Sequence, residues 1–86
     1  MMRYTQAVSW IGWYGVVATV LAYALVSALV LPPTSLLYQG LNFIGAAGVT
    51  LETWVRHDYQ PFWLNLIWAL IALIAIINIL RGMHAA

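Results

Sequence analysis

From Ala7 to Leu31 the chain runs without a charged side chain. A helix rising about 1.5 Å per residue needs roughly 20 apolar residues to cross a bilayer's hydrocarbon core, so this stretch is long enough to do so. Two further apolar stretches follow, Ser35 to Val55 and Phe62 to Leu80. Pro32-Pro33 interrupts the first, because proline lacks an amide donor and pushes the preceding residue away from helical backbone angles. Thr34-Ser35 then offers side-chain oxygens to cap the next helix. The run Arg56-His57-Asp58-Tyr59-Gln60 reads as a short polar loop, and Pro61 suits the first turn of the third helix. Arg81-Gly82 is expected to close that helix, with arginine favouring the dipole and glycine a left-handed cap. The fold predicted is all-α, an integral membrane three-helix bundle, with residues 1–86 as one domain spanning at about 7–31, 35–55 and 62–80. A secretory signal peptide is the competing reading of the first stretch, but its apolar region runs only about 7–15 residues.

Composition argues the same way. The chain is 65% hydrophobic and 6% charged, against about 45–50% and about 25% in soluble domains, too little charge to cover a soluble globule. Without cysteine there can be no disulfide, thiolate site or cysteine nucleophile. Arg3, Arg56 and Arg81 are the only basic residues besides histidine, too few for a phosphate-binding patch, so nucleic acid is not an expected partner. His57 and His84 are not at metal-ligand spacing with any acidic residue on one helix. Ser9, Ser27 and Ser35 have no histidine placed to activate them, and Glu52 and Asp58 flank an arginine instead of facing each other. No enzyme, cofactor or metal is therefore expected.

Aromatic residues gather toward one end of the three segments: Trp10, Trp13 and Tyr14 in the first, Trp54 and Tyr59 after the second, Trp63 at the start of the third. Such rings favour the headgroup level. An odd number of crossings puts Arg3 and Arg56 on one side and Arg81 on the other, which by the positive-inside rule places the N-terminus in the cytoplasm.

Within the segments, small and polar residues recur at helical spacing. Ser9, Gly12, Val16, Thr19, Tyr23 and Ser27 form one such stripe, and Ser35, Tyr38, Asn42, Gly45, Val49 and Glu52 a second. Asn65, Ala69, Ala72 and Ile76, with Trp68 beside them, form the third. Gly12, Gly45, Ala69 and Ala72 are expected to pack helices closely, since association in lipid rests on backbone approach and interhelical hydrogen bonds. Tyr23, Asn42, Asn65 and Trp68 are the candidates for a substrate path. A carboxamide at membrane depth must find a partner helix, water or a solute, and both outcomes are open here. Glu52 and Arg56 stand four apart and suit an interfacial ion pair.

Two resemblances follow from these residues. The run Ile11-Gly12-Trp13-Tyr14-Gly15, then Leu21-Ala22-Tyr23, Ser35-Leu36-Leu37-Tyr38-Gln39, Leu41-Asn42 with Gly45, and Leu64-Asn65 with Trp68-Ala69-Leu70-Ile71-Ala72 resembles the bacterial CBU-type small membrane-domain family. That resemblance implies three spans and carries no assigned chemistry. More loosely, the chain is similar to the semi-SWEET and PQ-loop half-transporters, whose three-helix unit dimerises around a central path. The similarity implies that Asn65 and Trp68 lie on that path, although the first span has no proline and hence no Pro-Gln hinge.

The expectation is a multi-pass protein of the bacterial inner membrane, working in the lipid bilayer as a homodimer. The leading function is a half-transporter or permease-like unit for a small polar solute. The alternative is a structural or accessory subunit that binds another membrane protein and transports nothing.

Overall fold

A computed structural model describes residues 4–85 of the chain, with side chains described from Gln6 to Gly82. It contains three helices, α1 (Tyr4–Ser27), α2 (Leu36–Val55) and α3 (Tyr59–Ala85). Arg3, and the His84 side chain, fall outside the described part.

α1 stops at Ser27, earlier than the Leu31 expected from the proline pair. Prolines at 32 and 33 supply no amide donors, so the last carbonyls of α1 must be satisfied by the residues just before them. Leu29 N–H donates to the Val26 carbonyl at 3.1 Å and Val30 N–H to the Leu25 carbonyl at 3.0 Å. Leu29 adopts φ 62° to allow this. This is a Schellman closure, usually built on glycine. α2 ends in the same way: His57 has φ 59°, its N–H donates to the Trp54 carbonyl at 3.2 Å, and Asp58 N–H donates to the Thr53 carbonyl at 2.9 Å. A side chain in left-handed backbone costs about 1–2 kcal/mol. Leu29 is 91% exposed and has little contact to lose, so Leu29→Gly is expected to raise stability by about 1 kcal/mol. Thermal unfolding in detergent micelles measures this, and an unchanged or lower midpoint would contradict it.

Ser35 caps α2 as expected, its Oγ accepting from Tyr38 N–H at 3.2 Å. Gln39 Nε2 adds a donation to the Pro33 carbonyl at 2.9 Å, tying the turn to the helix. α3 begins at Tyr59, so Pro61 lies in its first turn. It runs past the expected stop at Leu80, and no described glycine has positive φ. Gly82 is thus inside the helix: Met83 and Ala85 after it are strong helix formers, and α3 continues to Ala85.

α2 packs against α1 on one side and α3 on the other, while α1 and α3 do not approach each other among the described residues. The arrangement is an open three-helix bundle, 49 × 25 × 24 Å, in which α2 makes the close backbone contacts with both neighbours. Both junctions are antiparallel, as their short connections require. Gly15 lies opposite Gly45, and Ile11 opposite Gly48. On the other side, the Trp54 and Phe62 rings stand 5.3 Å apart at one end, and Phe43 and Leu73 share a groove at the other.

Small residues make the interior: Ala22, Ala46, Ala69 and Ala72 are buried with Val8, Asn42 and Thr53, and no large side chain is fully buried. Large apolar residues point outward along every helix. The buried face of α1 is Val8, Gly12, Gly15 and Ala22, offset from the expected stripe, whose Val16, Tyr23 and Ser27 are exposed. Close approach at glycine and alanine, not polarity, decides which face turns inward. In α2 and α3 the expected stripes match the buried faces better, with Asn42, Gly45, Ala69 and Ala72 all buried.

Two helices are long and apolar enough to cross a membrane, over Gln6–Ser27 with mean hydropathy 1.5 and Tyr59–Gly82 with 2.4. α2 has the length but not the apolarity, because Gln39, Asn42, Glu52 and its glycines dilute it. It is also the helix covered on both flanks.

Candidate functional site

The α1–α2 seam positions the site. A Cβ on Gly15 would lie 2.5 Å from the Gly45 carbonyl oxygen, and one on Gly45 would lie 2.6 Å from Thr19 Cγ2 and 2.7 Å from the Gly15 carbonyl oxygen. Backbone meets backbone there. Gly48 adds to the seam, its Cβ position 3.1 Å from the Ile11 carbonyl oxygen. Thr19 Oγ1 donates back to the Gly15 and Val16 carbonyls, at 3.0 Å each, and so turns its methyl toward Gly45. Gly12 and Gly45 were singled out from sequence; Gly15 and Gly48 were not. Their signal was the repeated three-residue spacing, Gly12 with Gly15 and Gly45 with Gly48.

Beside this seam lies a cavity of about 250 Å³ lined by residues of all three helices. Thr19, Val20, Tyr23, Tyr38, Asn42 and Trp68 line it, bringing together three of the four sequence candidates. Asn42 is only 7% exposed, and its carboxamide has no hydrogen-bond partner among the described residues. No described side-chain nitrogen or oxygen is both sealed and unpartnered, so the Asn42 amide is open to the cavity. Tyr23 and Trp68, 70% and 46% exposed, form its outer rim. Tyr38 was not proposed for the path, although its place one turn before Asn42 could have suggested it.

Asn65 is the candidate that the geometry separates. Its Nδ2 donates to the Pro61 carbonyl of its own helix at 2.9 Å, and it does not line the cavity. The antiparallel run of α2 and α3 puts the two asparagines toward opposite ends of the bundle.

At the Asn65 end, Glu52 accepts from Arg56 Nε at 3.2 Å, and its carboxylate lies over Gly12, where a Cβ would collide with it. Glu52 is the less exposed partner, at 21% of its side chain against 49% for Arg56. The exposure of Arg56 limits this pair to about 0–1 kcal/mol. Trp10, Trp13, Tyr14, Trp54, Tyr59 and Trp63 are all exposed at this end. Phe62, tilted against Trp54 at 5.3 Å and edge-on to Trp63 at 5.2 Å, anchors part of the group.

No charged residue lines the cavity. An ion entering it would leave water without a counter-charge, a loss of several kcal/mol. Aromatic faces return only about 2 kcal/mol, and only to a cation. The site therefore suits a neutral guest. No group of three or more potential metal ligands occurs among the described residues.

Among curated proteins and solved structures, none matches this chain. A family match, by contrast, spans residues 8–83, from the first buried residue of α1 to beyond Arg81, and takes in the seam, the cavity and all three helices. The chain belongs to the CBU-type family.

Proposed function

We propose that the chain crosses the bacterial inner membrane three times and works as a half-transporter for a small polar solute, two copies completing the path. The observation that carries this reading is Asn42, buried, unpartnered and open to a cavity. An amide held in hydrocarbon without a bond is costly, so its retention argues for a guest. The inside-out distribution of side chains supports the membrane setting, because such extensive apolar surface has no place in water. α2 crosses as the shielded member, with its polar groups turned to its neighbours. The looser resemblance to half-transporters agrees with a unit of this size.

Uptake into proteoliposomes across a panel of small polar solutes tests the proposal. Saturable uptake of at least one is expected. Uptake of none would overturn it in favour of the accessory role, which the apolar groove between α2 and α3, lined by Phe43, Leu66, Leu70 and Leu73, supports as a seat for a partner helix.

Orientation follows the arginines, with the N-terminus cytoplasmic and the C-terminus outside. Alkaline phosphatase fused after Ala86 should be active. A fluorescent cytoplasmic reporter that lights at the same position would reverse the assignment.

A further inference from the structure

We infer that the Asn42 cavity takes a neutral, planar ring whose edge presents a hydrogen-bond donor and an acceptor side by side, as a cyclic amide does. This inference rests on the transport reading for its setting and adds the class of solute. A carboxamide carries its carbonyl acceptor and its NH₂ donors on one planar group, so its best partner is an edge with the complementary pair in the same plane. Asn42 presents such a group, 7% exposed and with no partner among the described residues. Thr19 cannot stand in as its donor, since that hydroxyl is already given to the Gly15 and Val16 carbonyls.

The rest of the lining selects for the body of the guest. Tyr23, Tyr38 and Trp68 contribute three aromatic rings, and none of the three pairs with another ring among the described residues, unlike Trp54, Phe62 and Trp63 at the opposite end. Aromatic rings so placed favour a flat unsaturated guest over a saturated or highly hydroxylated one. The absence of charge in the lining disfavours carboxylates, phosphates and ammonium groups. A volume of about 250 Å³ holds a single small ring with room to turn.

The test uses two probes on the full chain in nanodiscs, with empty nanodiscs as the blank for partition into lipid. 2-Pyridone has the N–H and C=O side by side; N-methyl-2-pyridone keeps the ring and the carbonyl and lacks the donor. Ligand-observed NMR titration should show saturable binding of 2-pyridone and binding of the methylated probe weaker by about tenfold or more, a gap typical of one buried hydrogen bond and its unpaired partner. Asn42→Leu should bind both probes equally and weakly. Absence of saturable 2-pyridone binding, equal binding of the two probes by the natural chain, or discrimination retained in Asn42→Leu would each overturn the inference. The two-probe comparison needs no variant, so it stands even if Asn42→Leu does not assemble. Failure of this inference is distinguishable from failure of the transport reading. Uptake of other solutes without 2-pyridone binding overturns the ring class alone, whereas 2-pyridone binding with no uptake of any solute overturns transport and leaves the site. If 2-pyridone does not bind and Asn42→Leu dissociates a dimer, a second copy fills the cavity and the inference is overturned.

Discussion

Gly15→Ala is expected to lower stability by about 1–3 kcal/mol, the range for forcing extra volume into a filled contact. The added Cβ would stand 2.5 Å from the Gly45 carbonyl oxygen, and a backbone atom cannot swing aside as a side chain can. Gly45→Leu should go further and keep α1 and α2 from closing at all. Gly12→Ala is expected to do less than Gly15→Ala, because what it meets is the end of the Glu52 side chain, which can rotate away at the expense of a weak ion pair with Arg56. Gly40→Ala, with nothing within 4 Å of its Cβ position, should be neutral or stabilise by up to about 1 kcal/mol through helix propensity. Loss of helical circular dichroism along an SDS titration in mixed micelles would rank the four. If Gly15→Ala proves as stable as Gly40→Ala, the seam is looser than its geometry implies.

The second large effect is functional. Asn42→Leu is expected to abolish uptake while the protein remains inserted, whereas Asn65→Leu should leave uptake near normal and lose only the bond to Pro61, about 0.5–1.5 kcal/mol. In the accessory reading the order changes. There Asn42→Leu weakens assembly by on the order of 0.6–2 kcal/mol, the worth of an interhelical hydrogen bond in lipid, and no transport exists to lose. Uptake and a membrane cross-linking assay, run together on both variants, separate the two. Uptake lost in Asn65→Leu and kept in Asn42→Leu would remove the cavity from the path.

The three helices are legible in sequence because apolar length and proline punctuation leave few alternatives; Ser35 marks the start of α2, whereas the loop expected over Arg56–Gln60 already ends at Asp58, with Tyr59 and Gln60 in the first turn of α3 beside Pro61. The end of α1 is not legible, since the pattern shows where proline forbids a helix but not how many preceding residues are needed to satisfy its last carbonyls. That closure consumed Ala28 to Leu31. The buried face of α1 was misread at Val16 and Tyr23, because periodicity treats a tyrosine and a glycine on one stripe as equals, while only the glycine permits contact. Asn42 and Asn65 looked alike in sequence. What distinguishes them is their surroundings: Asn65 stands one turn after Pro61 and bonds its carbonyl, while Asn42 shares a cavity with residues of α1 and α3. Such a cavity depends on three helices at once and has no signature in any single one.

The central place of the least apolar helix bears on how a ribosome and an insertion machinery would handle the chain. On the three-span reading, α1 emerges first and can enter lipid unaided, but α2, with Gln39, Asn42 and Glu52 along it, would partition poorly by itself. It gains admission only as half of a hairpin with α1, where Glu52 settles over Gly12 and Gly45 against Gly15. On that reading a seam substitution that keeps α1 and α2 apart, such as Gly45→Leu, would also show itself as a failure of topology during synthesis, with α2 left at the surface and α3 threaded in the wrong direction.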